Sequence, residues 1–126
     1  MIKILIVEDD PQISRIYHRI FSLEGYTVEL AGDGEEGLMK TKSFQPSLIL
    51  LDITMPKLNG MLVLEALKAD EETKKIPVIM LTNLAGDQNK QAALAKGAIN
   101  YLTKSDYEPA QVVNIVKQTL HDIAAS

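Results

Sequence analysis

Six polar residues stand where short apolar runs end, and their types suit the binding of a hard cation beside a reactive carboxylate. Glu8, Asp9 and Asp10 follow Ile4–Val7, and Asp52 follows Leu48–Leu51. Thr82 closes the run that begins at Pro77, and Lys104 comes just after Tyr101-Leu102. Carboxylates held together repel, and each raises the other's pKa unless a cation intervenes. An all-oxygen ligand set without histidine or cysteine favours Mg²⁺ or Mn²⁺. Asp52, behind four aliphatic residues, is partly desolvated, which favours a nucleophile or a ligand. Taken singly, each residue has an ordinary explanation. Asp10 before Pro11 serves equally well as a helix cap, a threonine ends many strands, and a lysine on a loop is usually solvated. Their weight lies in recurring at four strand ends.

The elements that must position them alternate. Ile2 to Val7 is an apolar run suited to a strand buried on both faces. A helix opens at Pro11 with Ile13, Ile16, Tyr17, Ile20 and Phe21 on one face, and Gly25 follows its end. Thr27 to Ala31 alternates as a more exposed strand. A helix opened by Asp33-Gly34, carrying Leu38 and Met39, ends before Pro46. Leu48 to Leu51 is a buried strand, and Asp52 to Gly60 a loop containing Pro56 and Asn59-Gly60. Leu62 to Ala69 is helical and Pro77 to Leu81 a strand. The loop from Asn83 to Gly86 precedes a helix that stops at Gly97. Ile99 to Leu102 is the fifth strand. The last helix runs from about Glu108 to Ile123, with Val112, Val113, Val116, Leu120 and Ile123 inward. Five βα units with buried strands predict a doubly wound α/β fold, a parallel sheet with helices on both faces. In such sheets a ligand binds beyond the carboxyl ends of the strands, which is where the six polar residues fall.

Composition narrows the function. The chain has 126 residues, enough for one domain of ordinary size, with 46% hydrophobic and 24% charged residues. It has no cysteine, which excludes a disulfide scaffold, a thiolate metal site and a cysteine nucleophile. Its two histidines, His18 and His121, lie far apart in sequence, against zinc or haem chemistry. No apolar run is long enough to span a bilayer, and Met1-Ile2-Lys3-Ile4 enters a strand directly without a signal-peptide layout. A cytoplasmic protein with no membrane partner is expected. A net charge of −4 without a basic stripe disfavours direct nucleic-acid binding.

Four stretches then carry a resemblance: ILIVEDD at 4–10, LLDITMPKLNG at 50–60, PVIMLT at 77–82 and GAINYLTK at 97–104. In their order and spacing they resemble the receiver domain of two-component response regulators, of the chemotaxis and phosphorelay type, over essentially the whole chain. The resemblance implies a flavodoxin-like (βα)5 fold with strand order 2-1-3-4-5, and one receiver domain over 1–126. It implies that Asp52 accepts a phosphoryl group from a phosphohistidine of a sensor histidine kinase or phosphotransfer protein. Glu8, Asp9, Asp52 and the backbone carbonyl of Thr54 would hold Mg²⁺. Thr82 would bond a phosphoryl oxygen, Lys104 would pair with it, and Tyr101 would be the aromatic that swings inward when Thr82 moves. A downstream protein would bind through the last two helices and the strand between them. Since the pattern fills the chain, output is expected through another protein's surface.

The chain departs from the family pattern in places. Ser105 stands where a proline usually follows the lysine, so no cis bond is expected there. Asn83 follows Thr82, where a small residue is usual, and narrows access to the phosphoryl group. Thr54 and Leu84 occupy variable positions flanking the path of attacking water, and apolar Leu84 is expected to disfavour that water. An aspartate-based phosphatase needs a second acid where this chain has Thr54, and a flavodoxin needs a phosphate loop where it has acids. The remaining alternative is a receiver-like domain that takes no phosphate and serves as an interaction surface.

Overall fold

The computed structural model describes residues 1–125, so Ser126, the last residue of the expected domain, lies outside the described residues. Five strands and five helices alternate: β1 (Lys3–Val7), α1 (Pro11–Leu23), β2 (Thr27–Ala31), α2 (Gly34–Phe44), β3 (Leu48–Leu51), α3 (Gly60–Ala69), β4 (Val78–Thr82), α4 (Asp87–Ala95), β5 (Asn100–Thr103) and α5 (Pro109–Ala125). All strand pairs are parallel, in the order β2-β1-β3-β4-β5. That is the expected flavodoxin-like order.

Strand alternation splits the core into two layers. Leu5, Val7, Ile49, Leu51 and Met80 face the side covered by α2, α3 and α4. Ile4, Ile6, Leu48, Leu50 and Ile79 face α1 and α5. The three central strands are buried along nearly their whole length, whereas β2 alternates at the sheet edge, as its sequence predicts.

Local chemistry sets the ends of the elements nearest the site. Asp10 accepts from the amides of Gln12 and Ile13, and Pro11 opens α1, a cap that stabilises by about 1 kcal/mol. Gly25 ends that helix at φ +91°. Asn59 caps α3 by accepting from the Leu62 amide.

The structure corrects several sequence expectations. The buried line of α1 is Ser14, Tyr17 and Phe21, while Ile16 is half exposed at 48%. Ser14 takes the inward place because its hydroxyl has a backbone acceptor, Glu8 O at 3.3 Å. Ile123 is likewise exposed, in a last turn of α5 where residues 121–125 are all exposed. α3 starts at Gly60, β1 at Lys3, and β4 extends through Thr82. A 3₁₀ turn, Lys104–Asp106, separates β5 from α5, and the Lys104–Ser105 bond is trans as expected.

Candidate functional site

Strand order reverses between β1 and β3, and a crevice opens there beyond the carboxyl ends of the strands. Val7 pairs with Leu51, so Glu8 and Asp52 leave the sheet side by side. Their amides are fixed by neighbouring strands: Glu8 N donates to Ala31 O at 2.9 Å and Asp52 N to Val7 O at 3.1 Å. Both side chains are buried, whereas Asp9 is exposed. Oxygens from Glu8, Asp9 and Asp52 lie within 4.8 Å of one another, a spacing that one small cation can bridge. β4 brings Thr82, fully buried, to the same end, and β5 delivers Lys104 one residue beyond the Thr82–Thr103 pair.

The Lys104 ammonium binds both buried acids. Nζ donates to Asp52 Oδ2 at 3.1 Å and to Glu8 Oε1. Each remaining oxygen has a backbone donor: Ile53 N to Asp52 Oδ1 at 2.7 Å, and Asp10 N to Glu8 Oε2 at 3.1 Å. Burial pushes the Glu8 carboxyl above its ordinary pKa, and the bonds from Lys104 and the Asp10 amide offset this only in part. Burial alone would lower Lys104, but Glu8 and Asp52 outweigh it and hold the ammonium above its usual range. The lysine therefore stays charged across neutral pH. It balances one of three clustered negative charges when all three acids are ionised, so the acids retain a demand for a cation.

One residue links Thr82 to Tyr101. Leu84 N donates to Thr82 Oγ1 at 3.2 Å, and the Tyr101 hydroxyl donates to Leu84 O. Tyr101 itself is buried, and burial raises its phenol pKa, with Asp52 adding to the effect. Glu8, Asp9, Asp52, Thr54, Thr82 and Lys104 all line one cleft of about 380 Å³. Tyr101 lies outside that lining and is bonded to it through Leu84. Sequence reasoning brought these residues to one sheet edge. It missed the supporting groups, Ser14 and the amides of Asp10 and Ile53, because a backbone donor leaves no mark in a side-chain pattern.

It also missed Gly60. A Cβ on that residue would stand 2.0 Å from Asp52 O, so the backbone carrying the acid packs directly on the start of α3. The Asn59-Gly60 pair reads from sequence as a turn and gives no sign of this contact.

A doubly wound sheet with clustered acids, a threonine and a lysine at its switch point defines a class, and the chain belongs to it. The model of the response regulator receiver domain matches residues 4–117. The chain is thus a receiver domain of two-component response regulators, a signalling module rather than a metabolic enzyme. It is 43% identical over 104 residues to the DNA-binding dual master transcriptional regulator RpaA of Synechocystis sp., covering 82% of this chain and 43% of that protein. A CheY-like response regulator receiver domain protein from Methanospirillum hungatei superposes with a TM-score of 0.88 at 34% identity, covering 97% of this chain and 95% of the other. CheY of Borrelia burgdorferi, from its complex with CheX, BeF3 and Mg²⁺, has a TM-score of 0.86 and 31% identity over 94% of this chain and 88% of that one. The chain spans about half the length, or less, of curated relatives that it matches. No helix among the described residues is long and apolar enough to cross a membrane.

Proposed function

We propose that this receiver is an active phosphoacceptor switch in which Asp52 takes a phosphoryl group from a phosphohistidine of a sensor histidine kinase or phosphotransfer protein. The observation that carries this is the buried Asp52 carboxylate, with an ammonium on one oxygen and two further acids within reach of a shared cation. Glu8, Asp9, Asp52 and the Thr54 carbonyl would hold Mg²⁺, and the oxygen-only donor set fits that ion. When bound, Mg²⁺ supplies two positive charges, which with Lys104 balance the three acids and admit a dianionic phosphoryl group. The Borrelia relative, seen with BeF3 and Mg²⁺, supports the same pairing here.

The protein's own groups do the rest. Transfer of a phosphoryl group needs mainly positioning and charge stabilisation. Lys104 pairs with a phosphoryl oxygen, and the Thr82 hydroxyl donates to another. That second bond exists only in the phosphorylated state, so it biases a two-state equilibrium. Because Thr82 Oγ1 also accepts from the Leu84 amide, and Leu84 O accepts from Tyr101, movement of Thr82 is transmitted to β5 and the start of α4. The face formed by α4, β5 and α5 then meets a downstream protein. Gln88, Lys90 and Gln91 of α4 and Gln111 of α5 are exposed and polar, and Leu94 of α4 is an exposed apolar residue. On this reading residues 1–126 are one receiver domain working in the cytoplasm, with neither nucleic acid nor membrane as a direct partner.

Adding beryllofluoride and Mg²⁺ tests the switch against an inert interaction domain. Amide resonances of Asp52, Thr82, Leu84 and Tyr101 are expected to shift together, and an unchanged spectrum would overturn the reading. Hydrolysis of the acyl phosphate is a further expectation. Leu84 lines the cleft with an apolar side chain that cannot hold the attacking water. Leu84→Glu is therefore expected to lose its phosphoryl group faster than the parent, followed as loss of label after removal of the donor. Equal or slower loss would exclude that role for Leu84.

A further inference from the structure

The phosphoacceptor cleft continues into a second, mainly apolar cleft of about 310 Å³, lined among others by Ile16, Tyr17, Tyr107 and Pro109. The two share three lining residues, Ile13, Asn83 and Lys104. Ile13 has no polar group, and Lys104 is committed to Glu8 and Asp52. Asn83 is exposed, and its carboxamide has no hydrogen-bond partner among the described residues. It carries both an acceptor, Oδ1, and a donor, Nδ2, at the mouth of the site. Thr82, the next neutral side chain inward, already accepts from the Leu84 amide.

Resting on the phosphoacceptor reading, we propose that Asn83 is a specificity-determining residue that holds the leaving group of the phosphodonor. In the transfer an Asp52 oxygen bonds to phosphorus as the P–N bond of a phosphoramidate or phosphohistidine, or the P–O bond of an acyl phosphate, breaks. The bonding electron pair leaves with the nitrogen or oxygen, and no oxidant or reductant is involved. Attacking and leaving atoms stand roughly in line. Asp52 attacks from the buried end of the cleft, so the leaving atom departs towards its mouth, where Asn83 stands. A nitrogen leaving group bearing N–H donates to Oδ1, whereas a carboxylate can only accept, and takes its bond from Nδ2. A side chain that merely narrowed the opening would favour neither.

The test measures second-order rate constants for phosphorylation of the full chain by phosphoramidate and by acetyl phosphate, with Mg²⁺ and at high salt so that distant charges are screened. Asn83 is exposed, so Asn83→Ala and Asn83→Asp leave the core untouched. Asn83→Ala is expected to slow both donors by about fivefold, the worth of one hydrogen bond. Asn83→Asp keeps the acceptor and loses the donor, so the ratio of phosphoramidate to acetyl phosphate rates should rise by about fivefold or more. Faster labelling of the alanine variant with both donors would make Asn83 an obstruction and overturn the inference. So would an unchanged donor ratio in the aspartate variant. If the parent takes label from neither donor, the phosphoacceptor reading falls as well, which separates the two failures.

Discussion

Asp52→Asn will take up no phosphoryl group above background from radiolabelled acetyl phosphate and Mg²⁺, while remaining folded. The argument for lost labelling is chemical. A carboxylate oxygen carries the negative charge and lone pair that attack phosphorus, and a neutral amide oxygen is a far weaker nucleophile. The argument for retained fold is a balance of two effects. The amide can still accept from Ile53 N, which Asp52 Oδ1 does now at 2.7 Å, but then turns its NH₂ towards the Lys104 ammonium. Against that loss, Glu8 keeps its bond to Lys104 and is relieved of a neighbouring negative charge that helps to raise its pKa. The two effects oppose, so the variant should unfold in urea as one cooperative unit at a midpoint near the parent's. Undiminished labelling of this variant would move the phosphoacceptor to another carboxylate of the cleft, with Asp9 and Glu8 the nearest candidates. Lost labelling with lost structure would leave the chemistry of Asp52 undecided, so circular dichroism belongs in the same experiment.

How the site was legible in the sequence follows from what a pattern records. Each strand is a short apolar run, and the residue that ends the run is pinned to the sheet edge. Hence Glu8, Asp52 and Lys104 could be brought together from their positions alone, without any knowledge of their contacts. Strand order was not legible in that way. Alternation and right-handed crossovers predict a parallel sheet, but the order 2-1-3-4-5 came with the family resemblance. Helix faces are legible only in part. The apolar spacing of α1 included Ile16 and passed over Ser14, since a hydroxyl scores as polar until its acceptor is known.

Sequence logic also divides the roles of Asp9 and Asp10 poorly. Both are exposed acids next to Glu8, and nothing in their types tells them apart. The structure does so by geometry: the Asp10 carboxylate turns to the start of α1 and accepts from the Gln12 and Ile13 amides, while Asp9 places an oxygen near those of Glu8 and Asp52. The residues alone therefore leave Asp10 open between a cap and a ligand, and backbone positions decide it. Tyr101 raises the same point at longer range. Its strand position is clear from sequence, but its link to Thr82 runs through the backbone of Leu84, which no side-chain pattern records.

Gly60→Ala is expected to destabilise the protein by about 3 kcal/mol in urea unfolding. An added Cβ would lie 2.0 Å from Asp52 O, 2.7 Å from Asp52 C and 2.8 Å from Ile53 Cα. These are backbone atoms, so no side chain can rotate out of the way. Relief requires α3 to move from β3, yet Gly60 N donates to Ile53 O at 2.8 Å and Val63 and Leu64, one turn on, are fully buried in the core. Neither side can yield cheaply. Gly60 has no positive φ, so the penalty is one of space rather than of backbone conformation, and it should grow with side-chain size. Gly25→Ala is the contrasting control: nothing lies within 4 Å of its Cβ, and its cost comes only from φ +91°, about 1 kcal/mol. The same displacement acts on function, because the carbonyl that Gly60 touches belongs to Asp52. A shift there turns its carboxylate away from Lys104, so Gly60→Ala should be phosphorylated more slowly even at temperatures where it is fully folded. A variant as stable as the parent to within about 1 kcal/mol would mean that α3 and β3 separate easily, and that Asp52 is held by Lys104 and Ile53 alone.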